Sequence, residues 1–173
     1  MSIHIIIDGY NLIRQSSSLS PLDRRDLQLG REALVDLLVT YKRIKHHKIT
    51  VVFDGTNAAS SSGHKDYIGG IEIKFSRSGE SADSVIKNMA AGEKEKALVV
   101  SSDRDVVDSA YLSGAAVISS IEFEKRLEMA AHLDGFSVDD TDEVGWIPTT
   151  KKKGPSRKLP KRKRRSAAKI KKL

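Results

Sequence analysis

Four aspartates, Asp8, Asp54, Asp83 and Asp103, stand where short apolar runs end or a helical pattern begins. Carboxylates gathered in this way offer only oxygen ligands, and the chain has no cysteine and no paired-histidine motif, so Mg²⁺ or Mn²⁺ suits them better than zinc. A divalent ion held there lowers the pKa of a bound water and steadies the leaving oxygen of an in-line displacement at phosphorus. Without a cation, four close carboxylates repel one another and some take up protons. The spacing therefore points to an acidic metal site.

The elements that must position these acids are legible in the surrounding periodicity. Asp8 closes the β-branched run Ile3-His4-Ile5-Ile6-Ile7, Asp54 closes Ile49-Thr50-Val51-Val52-Phe53, and Asp103 follows Ala97-Leu98-Val99-Val100-Ser101-Ser102. Near-continuous apolar runs of this length read as strands buried on both faces. Further strands are expected near 71–75 and 115–119. Leu27, Leu34, Leu37, Leu38, Tyr41 and Ile44 recur at helical spacing, and other helices are expected after Ser81, over 104–112 and over 121–133. Alternating strands and helices predict a three-layer α/β/α sandwich around a mainly parallel sheet with right-handed crossovers. In such a sheet the carboxyl ends of the strands share one edge, where ligands bind. Residues far apart in sequence meet there.

Each acid also has a local explanation. Asp8-Gly9 and Asp54-Gly55 suit tight turns, Asp103 suits a helix N-cap, and Asp83 suits the first turn of a helix. Independent turns and caps need not share one sheet edge, and that coincidence favours the site. The connection from Gly55 to Gly70, with His64 and Lys65, reads as a mobile surface loop, and His64 there is more simply a solvated side chain than a substrate contact. No Walker loop, GxGxxG fingerprint or internal repeat occurs.

Charge divides the chain. Thirteen of the 30 Lys and Arg lie in 151–173, which has no Asp or Glu, leaving 17 basic against 23 acidic residues in 1–150. The body carries a formal −6 and the segment +13. With Pro155, Pro160 and little apolar content, the segment is expected to be disordered, and the domain boundary falls between 1–148 and 149–173. A like-charge block of this density binds polyanions through phosphate contacts that weaken with salt. Lys151, Lys152, Lys153, Arg157, Lys158, Lys161, Arg162, Lys163, Arg164 and Arg165 are its candidate nucleic-acid contacts. The plainer readings are a solubilising tail or a strap on Asp139, Asp140, Asp142 and Glu143. No basic and apolar leader and no window of 18 apolar residues occurs, so a soluble cytoplasmic protein with no membrane partner is expected.

Four motifs in order carry a family resemblance: Asp8-Gly9-Tyr10-Asn11-Leu12-Ile13, Val52-Phe53-Asp54-Gly55, Gly79-Glu80-Ser81-Ala82-Asp83 and Ser101-Ser102-Asp103-Arg104. Over about residues 1–135 the chain resembles the YacP-like branch of the NYN domains, within the PIN-like nuclease superfamily. The basic tail falls outside the stretch that carries the resemblance. The resemblance implies a PIN-like fold and metal-dependent internal cleavage of RNA, with Mg²⁺ or Mn²⁺ as cofactor. It makes Asp8, Asp83 and Asp103 the metal-ligand acids, has Asn11 orient the site, and adds Glu80 as a ligand directly or through water. Asp54 and Asp105 are second choices, and Arg104 could contact a phosphate. The family often has a further acid in the helix after the first strand, where Glu32 and Asp36 both qualify.

Other classes fit less well. A receiver domain needs a lysine after its last strand, where this chain reads Val117-Ile118-Ser119-Ser120-Ile121, and a Toprim site needs a glutamate where Asp8 stands. The serious alternative is an RNA-binding adapter that keeps the nuclease fold. Under the enzyme reading, the tail recruits structured or ribosome-associated RNA to the acidic edge.

Overall fold

The structure, a computed structural model, describes residues 3–55, 65–135 and 160–173. Six strands form one sheet: β1 (His4–Asp8), β2 (Lys48–Phe53), β3 (Lys65–Ile68), β4 (Ile71–Phe75), β5 (Ala97–Val100) and β6 (Ala116–Ile118), in spatial order β3-β4-β2-β1-β5-β6. All neighbours are parallel except β3 and β4. The helices are α1 (Gly9–Gln15), α2 (Ser20–Arg25), α3 (Leu27–Lys45), α4 (Ala82–Glu93), α5 (Arg104–Leu112), α6 (Ser120–Gly135) and α7 (Lys161–Ile170). This is the α/β/α sandwich with a mainly parallel sheet that the periodicity predicts. None of the described helices is long and apolar enough to cross a membrane.

Side chains alternate across a strand, and β1 shows how that alternation builds the molecule. Ile5 and Ile7 join the core under α3 and α6 with Leu34, Leu38, Tyr41, Phe123 and Leu127. Ile6 faces the opposite layer with Val52, Val99, Val85, Ile86, Val106 and Ala110 under α4 and α5. Each such buried aliphatic side chain contributes about 1.5–3 kcal/mol. By the same alternation, Asp8 belongs to the α4 and α5 side. His4 on that side is buried between Glu93 (3.1 Å) and Thr50 (2.8 Å), and Thr50 donates to Glu72 (2.9 Å). Burial pushes the His4 pKa below its ordinary value.

The structure corrects three local expectations. Two short helices, α1 and α2, occupy the stretch after β1, where only a turn is read. Part of the expected surface loop is strand β3, while 56–64, including His64, lie outside the described residues. Every residue of β3 is exposed, so no buried face betrays it.

The third correction concerns the basic segment. Residues 149–159 lie outside the described residues, but Lys161–Ile170 are helical rather than disordered. Ile170 packs on the core, Leu173 is buried, and the Tyr41 hydroxyl donates to the Leu173 carbonyl at 3.0 Å. Arg165 bridges Glu95 at 2.7 Å. These contacts offset an ordering entropy that composition alone leaves uncompensated. Ile3, His47 and Lys96, which each precede a strand, border this end of the chain. Helix α7 therefore covers the edge where the strands begin.

Glycine is required where β2 leaves the sheet. A Cβ on Gly55 would sit 2.0 Å from the Ser76 carbonyl oxygen, which the backbone bond from Ser76 N–H to Phe53 holds in place. Gly55→Ala is expected to destabilise the protein by about 1–3 kcal/mol. The check is a lower denaturant midpoint at unchanged slope; an unchanged midpoint would show that the wall yields.

Candidate active site

Because β1, β2 and β5 are parallel neighbours, Asp8, Asp54 and the Ser101-Ser102-Asp103 step leave the sheet along one edge. The Ser81 hydroxyl caps α4 by accepting from Ser84 N–H at 3.2 Å, which sets Asp83 in the first turn above the same edge. Asp8, Asp54, Asp83 and Asp103 line one cleft of about 510 Å³ with Tyr10, Asn11 and Arg14. The four acids read from sequence thus share one opening.

Asp8 is the buried member, 7% exposed. One carboxylate oxygen accepts from Asn11 N–H (3.2 Å) and the other from the Ser101 hydroxyl (3.1 Å). Burial pushes its pKa up to about 6; the two hydrogen bonds oppose the rise, and the charges of Asp83 and Asp103 add to it. Asp83 is also raised, first by burial and then by Asp103, with Lys87 opposing. Asp103 caps α5 through Oδ1, accepting from Asp105 N–H (2.8 Å) and Val106 N–H (3.3 Å). Its local role as a cap and its place in the cleft are both realised.

Asn11 fixes the strand ends relative to one another. Its amide oxygen accepts from Ser102 N–H (2.9 Å), the Ser120 hydroxyl (2.7 Å) and Gln15 (3.3 Å). Ser102 in turn accepts from Ser120 N–H at 3.1 Å. One side chain thereby ties α1 to the ends of β5 and β6. Ser101, Ser102 and Ser120 were not singled out from sequence as site residues.

Other sequence candidates lie elsewhere. Glu80 lines a neighbouring cleft with Lys65, Lys74 and Arg77 rather than the four-aspartate opening. Asp105 is ion-paired with Lys87 and largely exposed. Arg104 is exposed on α5 and does not line the cleft. The helix that follows β1 is α1, which has no acid; Glu32 accepts from Gln28 on α3 (2.8 Å), Asp36 is exposed, and neither lines the cleft. Of the tail candidates, Lys151, Lys152, Lys153, Arg157 and Lys158 lie outside the described residues. Lys161, Arg162, Lys163, Arg164 and Arg165 belong to α7, which lies at the edge where the strands begin, opposite the cleft at their carboxyl ends.

Sequence reading missed Arg14, Tyr10 and Lys87. Asn11, Arg14 and Gln15 fall on one face of α1 at helical spacing, a signal visible only once that stretch is recognised as a helix.

The donor set is all oxygen; burial first, and neighbouring carboxylates after it, raise the pKa values of Asp8 and Asp83, and a divalent cation would favour their ionised forms. Among the described residues no group of three or more Asp, Glu or His side chains stands ready to hold a metal ion. The arrangement fits an ion that takes one or two carboxylates and completes its shell with water and substrate phosphate, the usual habit of Mg²⁺.

A mainly parallel α/β/α sandwich with aspartates converging at its carboxyl edge has the fold of a PIN-like nuclease. The chain belongs to the YacP-like NYN domain family, whose sequence model matches residues 5–172. That match extends beyond the four motifs and through the basic segment, which the resemblance over 1–135 leaves out. Among solved structures, the chain is similar to Rae1 (YacP) from Bacillus subtilis, with 24% identity and a TM-score of 0.65 over 77% of each chain. It is likewise similar to a tryptophan-to-leucine mutant of that Bacillus subtilis protein, at 22% identity and TM-score 0.63 over 76% of this chain and 78% of that one. At these identities the likeness is one of fold. No curated protein sequence matches the chain.

Proposed function

We propose that the protein is a metal-dependent endoribonuclease, cutting RNA phosphodiesters internally at the four-aspartate cleft. The observation that carries this reading is the convergence of Asp8, Asp83 and Asp103, from three separate elements, on one opening. Mg²⁺ or Mn²⁺, when bound, would supply an activated water and neutralise charge at the phosphate. Asp8 and Asp83 would hold it, with Asp103 and Asp54 taking part directly or through water. Asn11 and Ser101 keep Asp8 in register. RNA is the substrate, structured or ribosome-associated, and the cell's soluble compartment is the setting.

A circular RNA, which has no ends, tests the reading. Nicking in Mn²⁺ or Mg²⁺ that stops with EDTA is expected; loss from linear RNA ends alone would overturn internal cleavage. One observation favours the adapter reading, in which the fold binds RNA without cutting it: the carboxylates are not gathered into a ready three-ligand site. Under that reading the circle stays intact while binding remains tight.

The basic segment supplies salt-sensitive affinity in this account. Because Leu173 and Ile170 are part of the core, deleting 151–173 would damage the fold and confuse the result. Neutralising the exposed Lys163, Arg164, Lys171 and Lys172 to glutamine avoids that. Removing one phosphate-binding charge is expected to flatten the slope of log affinity against log salt by about 0.7 for single-stranded RNA. Cleavage at saturating enzyme is expected to persist; its loss would place α7 within the active site.

A further inference from the structure

Among the described residues, Arg14 is the sole cation that lines the four-aspartate cleft. It lies in the last turn of α1, exposed, with its guanidinium 5.4 Å from the centre of the Tyr10 ring. A guanidinium is attracted to the face of an aromatic ring, and its fork of N–H donors matches the geometry of a phosphate. Among the described residues Arg14 forms no ion pair.

The platform beneath Arg14 is itself fixed. Tyr10 is 8% exposed and packs edge-on against Phe53 at 5.1 Å between ring centres. Its hydroxyl accepts from Arg31 Nε at 2.8 Å and from a second guanidinium nitrogen of the same residue. Arg31 is held over Phe53 and Phe75 at 5.8 and 5.4 Å. The order of support runs from the aromatic cage to Arg31, then Tyr10, then Arg14. A long side chain that would otherwise sample many rotamers is thereby steadied at the cleft rim, which lowers the entropy lost on binding.

We infer that Arg14 is a substrate-binding residue of the cleft, gripping an RNA phosphate there, with Tyr10 and Arg31 as its positioning residues. This rests on the nuclease reading for the identity of the substrate. Arg104, chosen from sequence for this duty, stands outside the cleft lining.

The test uses the full chain and a short fluorescein-labelled single-stranded RNA. Anisotropy is measured over a salt series in an Asp83→Asn background, so that the RNA stays whole. Adding Arg14→Ala is expected to weaken binding about tenfold and to flatten the salt slope by about 0.7. Arg14→Lys is expected to keep the slope and recover part of the affinity, because charge survives but the planar fork does not. Arg104→Ala is expected to change neither. With an unaltered melting temperature for Arg14→Ala, an unchanged affinity and slope would overturn the inference, as would an equal loss from Arg104→Ala. Cleavage by protein with Asp83 intact is followed in parallel: Arg14→Ala is expected to raise KM while kcat stays within about threefold. A wild-type protein that cuts no RNA overturns the nuclease reading, whereas the slope measurement decides the Arg14 contact independently of cutting.

Discussion

Asp8→Asn is expected to stabilise the metal-free protein and to abolish cleavage. The Asp8 carboxyl has a folded-state pKa of about 6 against an ordinary 3.8. A raised folded pKa means that the group's stabilising contribution is complete below about pH 3.8 and is lost as pH rises through about 6. At pH 7.5 the ionised, buried Asp8 therefore costs about 3 kcal/mol. Asparagine keeps an acceptor for Asn11 N–H and removes the charge, so the metal-free variant is expected to melt several degrees higher than wild type at pH 7.5. That advantage shrinks toward pH 5. Mn²⁺ is expected to raise the melting temperature of the wild type through preferential binding to the folded state, and to leave the variant unmoved. Cleavage is expected to fall by more than about 100-fold, since even partners behind a metal ligand commonly matter by 10–100-fold. Calorimetric melts over pH 5–8, with and without Mn²⁺, check the first part. A variant less stable than wild type at pH 7.5 would show that Asp8 is a structural acid.

Cleavage by the wild type is expected to rise with pH through the same range. Protonated Asp8 cannot serve as a metal ligand, and its titration near pH 6 sets the lower limit. A bound cation favours the ionised form and draws that limit downward, so a higher Mn²⁺ concentration is expected to shift the acid limb to lower pH. An acid limb indifferent to Mn²⁺ would assign it to another group.

Asn11→Ala is expected to be the most damaging substitution near the cleft that removes no charge. It leaves Ser102 N–H and the Ser120 hydroxyl without their acceptor. An unsatisfied buried polar group costs about 1–3 kcal/mol, so a loss of about 2–4 kcal/mol is expected from the pair. The ends of β5 and β6 would lose their tie to α1, and Asp103 with them, so single-turnover cleavage is expected to fall even where the variant is fully folded. Asn11→Asp keeps the acceptor oxygen but adds a fifth carboxylate to the cleft, so it is expected to recover only part of the stability. Equal melting temperatures for wild type and Asn11→Ala would show that the tie is not a structural one.

The strands are legible in the sequence because the short runs before Asp8, Asp54 and Asp103 are nearly all apolar and rich in β-branched residues. Once three parallel strands end in acids, their meeting follows from the shared edge of the sheet, and Asp83 joins through its place in the first turn of α4. What stayed hidden depended on short or exposed elements. Helix α1 has seven residues and begins at Gly9, so its start reads as a turn, and Arg14 is invisible as a cleft residue until α1 is known to be helical. Glu80 is made a ligand by the family resemblance, as the acid that precedes the Ser-Ala-Asp step. It follows Gly79, whose φ of 83° turns the chain, and it reaches the adjacent cleft instead. The basic segment looks too polar to order because its two anchors, Ile170 and Leu173, meet a core whose partner, Tyr41, lies far away in sequence.

The central claim is that the aspartate cleft performs the cut. Its most direct test is the single-turnover cleavage rate of an end-labelled RNA at saturating enzyme in Mn²⁺, for the wild type and the Asp8→Asn, Asp83→Asn double variant, with RNA affinity measured on both. Metal-dependent internal cuts by the wild type, slowed more than about 100-fold in the double variant at similar affinity, are the result this account predicts. Equal cutting by both proteins, or tight binding with no cutting by the wild type, would contradict it.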